Sequence, residues 1–150
     1  MQTILVAAEA GWIREQVRTA FVGRDQRVIE VTRGQDVRAA VAQHEPDLVI
    51  LDMQIGNMGG IAVSIDLRLE AGEGRLPDTT ILLLLDREAD RFLAQRADAD
   101  GELVKPVDAG MLRRAAKALL ARAEAEANAA DEDEPVGAET DEPVEAPAPG

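Results

Sequence analysis

Cysteine is absent from all 150 residues, which removes disulfide bridges, thiolate metal sites and cysteine nucleophiles from consideration. A reducing compartment fits that absence. Long hydrophobic runs are missing as well, since no apolar stretch approaches the ~20 residues that a membrane span requires. The opening run from Thr3 to Ala8 is too short and too poorly flanked to serve as a signal peptide. Basic residues are missing from the end of the chain. Ten of the 29 acidic residues and none of the 16 basic ones lie from Glu124 onward, so the first 123 residues hold 19 acids against 16 bases. The formal charge of -13 therefore belongs mostly to the terminus. An acidic terminus repels phosphate backbones and anionic lipid, so neither nucleic acid nor a membrane surface is an expected partner. A soluble, cytoplasmic protein is the expectation.

What is present is a hydrophobic fraction of 46%, enough for one core in a chain of this length. Apolar runs of strand length alternate with segments of helical period, the pattern that an α/β fold with a parallel sheet writes into sequence. Strands are predicted at Thr3 to Ala7, Arg27 to Val31, Asp47 to Leu51, Thr80 to Leu85 and Glu102 to Val104. The third and fourth, with unbroken aliphatic runs, suit strands covered on both faces. The intervening helices are predicted to bury Ile13, Val17, Ala20 and Phe21; then Val37, Ala40, Val41 and His44; then Ile61, Ile65 and Leu69; then Ala89, Phe92 and Leu93. Asp108 is placed to cap a fifth helix whose inner face is Leu112, Ala115, Ala116 and Leu119. Residues 1–122 are thus expected to form the folded domain. From 123 to 150 the composition of Ala, Glu, Asp and Pro predicts an acidic disordered tail.

In an open parallel sheet the functional crevice lies beyond the carboxyl ends of the strands. The residues at those ends are Ala8 and Glu9, Asp52, Leu85 and Asp86, and Lys105. Two segments carry a family likeness: Asp47-Leu-Val-Ile-Leu-Asp52-Met-Gln-Ile-Gly-Asn-Met-Gly-Gly60 and Leu103-Val-Lys105-Pro106. In that order, within a five-fold β/α pattern, they resemble the response-regulator receiver domain of two-component phosphorelays over roughly residues 3 to 120. The wording of the Asp52 segment and of Leu-Leu-Leu-Asp86-Arg-Glu-Ala-Asp90 also resembles a group of stand-alone receivers from actinobacteria. The resemblance implies a doubly wound five-stranded parallel sheet of flavodoxin-like topology, strand order 2-1-3-4-5.

It also implies chemistry. Asp52 would be the phosphoacceptor, its carboxylate acting as nucleophile on a phosphoryl group and forming an acyl phosphate whose charge needs local balance. Lys105, a point cation with three donors, would bind a phosphoryl oxygen. Mg²⁺ would take oxygen ligands from Glu9, Asp52 and the backbone carbonyl of Gln54. The Lys105–Pro106 peptide bond is cis in the family. Three positions depart from the family pattern. Ala8 stands where a first carboxylate is usual, which weakens the metal site, and Asp86 beside it is a candidate replacement ligand. Leu85 stands where a hydroxyl usually follows the phosphoryl group, and Glu102 where an aromatic switch residue is usual. The family's ordinary route from phosphorylation to the surface of helix four and strand five lacks both parts.

Blander readings stand beside these. Asp52 could merely end a buried strand, Lys105 alone could be a solvated loop lysine, and Glu9 is equally placed to cap the first helix. Trp12 suits a partner contact or a half-buried helix start. His44 reads as a helix-end residue, and Arg113, Arg114, Lys117 and Arg122 as a solvated helix face. Two functions follow. One is a single-domain response regulator that takes phosphate from a histidine kinase or phosphotransfer protein and signals to a downstream protein. The other is a phosphorylation-independent pseudo-receiver acting as an interaction module, which Ala8, Leu85 and Glu102 favour. An enzyme is not expected: an aspartyl-phosphate phosphatase needs a second acid where Gln54 stands, and the segment from Ala8 to Trp12 is no flavin phosphate loop.

Overall fold

The apolar runs form strands because aliphatic side chains alternate to two covered faces. In the computed structural model, which describes residues 1–56 and 58–141 with side chains through Asp131, they are β1 (Gln2–Ala7), β2 (Gln26–Val31), β3 (Leu48–Asp52), β4 (Thr80–Leu85) and β5 (Gly101–Val104). Helices α1 (Gly11–Ala20), α2 (Val37–His44), α3 (Gly60–Gly72), α4 (Arg91–Arg96) and α5 (Ala109–Asp141) follow them in turn. All pairings are parallel, and the sheet order is β2-β1-β3-β4-β5. This is the expected flavodoxin-like topology. Chain direction across the sheet reverses between β1 and β3, the point beyond which ligands collect in such folds.

Alternation splits the core into two layers. Ile4, Val6, Ala8, Leu48, Ile50, Leu82 and Leu84 meet Ile13, Val17 and Phe21 of the α1 segment and Leu112, Ala116 and Leu119 of α5. Leu5, Ala7, Val49, Leu51, Ile81, Leu83 and Leu85 meet Val37, Val41, Val63, Leu67 and Ala94 on the other face. Every residue of β3 is buried, whereas β2 and β5, at the edges, have none that is fully covered. Asp108 Oδ1 accepts a hydrogen bond from the Met111 N–H at 2.8 Å, so the predicted cap of α5 is present.

Two helices present different faces from those predicted. On α3 the inward residues are Gly60, Val63, Ser64, Leu67 and Glu70, while Ile65 is 42% and Leu69 63% exposed. The helix is aliphatic on both sides, so periodicity alone offered two stripes. Contacts decide between them: Gly60 lies on the Asp52 backbone, and Ser64 Oγ donates to the Ala97 carbonyl at 2.9 Å. On α4, Ala94 and the preceding Asp90 are buried, while Ala89 and Phe92 are exposed and Leu93 is partly covered. The Phe92 ring instead lies under the Arg96 guanidinium, 5.6 Å from its centre.

Met1–Leu120 form one compact unit, and a second begins at Ala121. Helix α5 continues to Asp141, into the stretch where a disordered tail was expected from residue 123. Ala and Glu are strong helix formers, and Arg122 faces Glu126 one turn on at 3.8 Å, so helix propensity supports this stretch, whose residues 124–131 are exposed. Residues 142–150 of the predicted tail lie outside the described residues.

Candidate functional site

The carboxyl edge of the sheet assembles the site through strand register. Asp52, the last residue of β3, lies level with Leu84 of β4, and the Met53 N–H donates to the Leu84 carbonyl at 2.9 Å. One strand over, Leu85 is level with Val104, and the Lys105 N–H donates to the Leu85 carbonyl at 2.8 Å. These two pairings bring Asp52, Asp86 and Lys105 together. The Lys105–Pro106 peptide bond is cis.

The side chains close a ring. Lys105 Nζ pairs with Asp52 Oδ1, and the same nitrogen lies 2.7 Å from Asp86 Oδ1. Gln54 Nε2 donates to the other oxygen, Asp86 Oδ2, at 2.7 Å, while the Gln54 backbone N–H donates to Asp52 Oδ1 at 3.1 Å. Asp52 is only 2% exposed and the Lys105 side chain 15%, so the ion pair is sheltered from bulk water. A hydrogen bond from Lys105 holds the Asp86 carboxyl below its ordinary 3.8, against the upward pull of burial, with Gln54 adding to the effect. Burial pulls the Lys105 ammonium down, but its hydrogen bonds to Asp52 and Asp86 outweigh that and leave it above 10.5.

Glycines seat the rim. A Cβ on Gly60 would lie 2.4 Å from the Asp52 carbonyl oxygen, so only glycine lets α3 start against the site backbone. Gly56, in the loop after β3, pairs with Arg33 in an isolated parallel bridge, and a Cβ there would lie 2.7 Å from Glu9 Oε2. Glu9 thus folds toward the loop that follows Asp52. It does not cap α1, whose first turn has no side-chain cap. Arg14 holds this turn from behind, with Nη1 donating to the carbonyls of Ala8 at 2.9 Å and Glu9 at 2.8 Å and Nε 3.2 Å from Glu30.

The positions without the usual family residues are accounted for in packing. Ala8 is fully buried under α1 and α5, and Leu85 lies in the opposite core layer with Ile81 and Leu83. Glu102 accepts from Arg91 Nη1 at 2.9 Å, and Arg91 also binds Glu88 at 2.6 Å, so an ion-pair chain ties β5 to α4. Among the described residues no group of three or more His, Cys, Asp or Glu side chains is placed to hold a metal ion, so Glu9, Asp52 and Asp86 form no three-carboxylate cluster. Asp86 is engaged with Lys105 and Gln54 instead. Neither that pairing nor the part played by Arg14 was legible in the sequence, where both residues look like ordinary loop and helix charges. A carboxylate directly after β4, beside the strand-end lysine, was the only signal for the first.

Comparison with known proteins agrees with this fold. The pattern that defines the response regulator receiver domain matches residues 4–117. The KDP operon transcriptional regulatory protein KdpE of Escherichia coli is 32% identical over 113 residues, 75% of this chain and 48% of that protein. The chain therefore spans about half the length of that regulator. Protein PilH of Pseudomonas aeruginosa is 30% identical over 119 residues, 79% of this chain and 98% of PilH. Among solved structures, the chemotaxis response regulator CheY4 of Vibrio cholerae superposes with a TM-score of 0.70 at 21% identity, covering 79% of this chain and 98% of that one, a likeness of fold. The receiver family signals rather than catalyses, and its members generally bind Mg²⁺ at the aspartate site. With its fold, its Asp52–Lys105 pair at the sheet edge and its sequence all in accord, the chain belongs to the response-regulator receiver family of two-component systems.

Proposed function

We propose that Asp52 accepts a phosphoryl group from a histidine kinase or phosphotransfer protein in the cytoplasm, and that the modified domain signals by binding a downstream protein. The observation that carries this reading is the Lys105 ammonium seated on the sheltered Asp52 carboxylate at the carboxyl edge of the sheet. A carboxylate oxygen of Asp52 would form the new bond to phosphorus while the bond from phosphorus to the donor breaks, the electron pair leaving with the donor. Lys105 would then bind a phosphoryl oxygen and offset the added charge. The backbone N–H of Gln54 already donates to Asp52 and orients its carboxylate.

The donors near Asp52 suit Mg²⁺, which is commonly held by one or two carboxylates with phosphate and water completing its shell. Asp52, Glu9 and the Gln54 carbonyl are the proposed ligands, and the glycine at position 56 leaves room for the Glu9 carboxylate at that rim. Bound there, the ion would neutralise charge on the transferring phosphoryl group.

A second reading, a phosphorylation-independent interaction module, is favoured by one observation: Lys105 is already shared with Asp86. Incubation with Mg²⁺ and acetyl phosphate, followed by intact-mass measurement, separates the two. A Mg²⁺-dependent gain of one phosphoryl group, absent from Asp52→Asn, is the expected result. No adduct on folded protein, from acetyl phosphate or from kinases, would replace the first reading by the second.

A further inference from the structure

We propose that Asp86 acts as a built-in competitor for Lys105, an internal anion that raises the threshold for phosphoryl acceptance at Asp52. The inference rests on the reading of Asp52 as phosphoacceptor and concerns what tunes it. Asp52, Gln54, Asp86 and Lys105 form a closed ring in which one ammonium serves two carboxylates. Asp86 is fixed from both ends of its carboxylate, by Lys105 on Oδ1 and by Gln54 Nε2 on Oδ2, each at 2.7 Å. Its backbone is fixed too, because it follows Leu85, whose carbonyl accepts the Lys105 N–H. The side chain is 31% exposed, so it borders the water through which a phosphodonor must arrive.

A phosphoryl group on Asp52 would carry about 1.5 to 2 negative charges in place of the single charge of the free carboxylate, a net gain of up to about one beside this ring. Lys105 then has two courses. If it turns to the phosphoryl oxygens, Asp86 is left as an unpaired carboxylate next to a like charge. If it stays with Asp86, the phosphoryl group loses its cation. Either course penalises the phosphorylated state relative to the free one, and removing the charge at position 86 lifts the penalty. A metal-ligand role for Asp86 makes the opposite prediction, since removing a ligand would weaken acceptance. The sign of the effect therefore distinguishes them.

The test uses the full chain and Asp86→Asn, which keeps the shape of the side chain and its contact with Gln54 in reach while removing the charge. Asp86→Ala serves as a second variant. Acetyl phosphate is titrated in the presence of Mg²⁺, and the concentration giving half-maximal adduct is read by intact mass. We expect both variants to need about tenfold less donor, the order for one unit charge beside the phosphoryl group in a partly solvated site. An unchanged or higher requirement overturns the proposal, and a higher one accompanied by weaker Mg²⁺ binding makes Asp86 a metal ligand. Inorganic phosphate provides a readout that needs no covalent step: its titration, followed by the Lys105 side-chain NMR signals, should show tighter binding in both variants. If no protein forms an adduct, the phosphoacceptor reading fails by itself. The phosphate titration then decides on Asp86, with tighter binding in the variants supporting competition and equal binding refuting it.

Discussion

Replacing Gly60 by alanine should destabilise the domain although alanine is the better helix former. In the interior of a helix the exchange would gain up to about 1 kcal/mol from propensity. At this position the added Cβ would lie 2.4 Å from the Asp52 carbonyl oxygen, 2.9 Å from its carbon and 3.1 Å from Met53 Cα. All three are backbone atoms of a fully buried strand end and its turn, so no flexible side chain can yield. Relief requires α3 to move off β3, and overpacking of this kind costs typically about 1–3 kcal/mol, at the upper end here because both partners are backbone. Net of propensity, a loss of about 2 kcal/mol is expected. With a urea dependence of about 1.5 kcal/mol/M for a domain of this size, the unfolding midpoint should fall by roughly 1 M. Gly72, at the other end of the same helix, supplies the control, since a Cβ there meets nothing within 4 Å. Gly72→Ala should raise the midpoint, by about 0.4–1 kcal/mol of stability. Urea unfolding of both variants, followed by circular dichroism, checks the pair. A Gly60→Ala protein as stable as the parent would refute the steric account of how α3 is seated on the site.

Stability should fall at both pH extremes through the site ring. Asp86 is shifted down, so its contribution is present above about pH 4 and is lost as pH drops through its folded value; Lys105 is shifted up, so its contribution is complete below 10.5 and is lost as pH rises beyond its folded value. Urea midpoints measured across pH should show Asp86→Asn losing less on the acid side than the parent, and an unchanged acid limb would count against the pairing. Arg68 is a second test of side-chain anchoring: it donates to the Asp98 and Thr79 carbonyls, each at 2.8 Å, and pairs with Asp78 at 2.8 Å and Asp100 at 2.7 Å. Arg68→Ala should cost about 2–3 kcal/mol, against under 1 for the exposed Arg18→Ala. Equal losses in thermal unfolding would show that the Arg68 cluster is no more than surface charge.

Most of the scaffold is legible from residue order. Local sequence fixes β1, β3 and β4, because an aliphatic run of four or five residues between turn residues has few stable outlets other than a covered strand. The inner faces of α1 and α5 are equally plain, since Ile13, Val17 and Phe21, like Leu112, Ala116 and Leu119, oppose polar residues around the helix. Asp52 and Lys105 could be marked because strand ends in a parallel sheet face one crevice, and Asp108 because a cap acts on its own helix.

Tertiary structure decided what depends on partners distant in sequence. α3 has two aliphatic stripes, and only its contact with the Asp52 backbone and the Ala97 carbonyl selects Val63 and Leu67 over Ile65 and Leu69. On short α4 the pattern spans too few turns to fix a face, and packing leaves Phe92 outside, against Arg96. From the sequence the charge at position 86 reads as a candidate metal ligand; its pairing with Lys105 emerges only where register places the ends of β3, β4 and β5 side by side and a single lysine meets two carboxylates. Periodicity reports which residues share a face of one element. It carries no information about which charge on another element that face will meet, and at this site that meeting sets the chemistry.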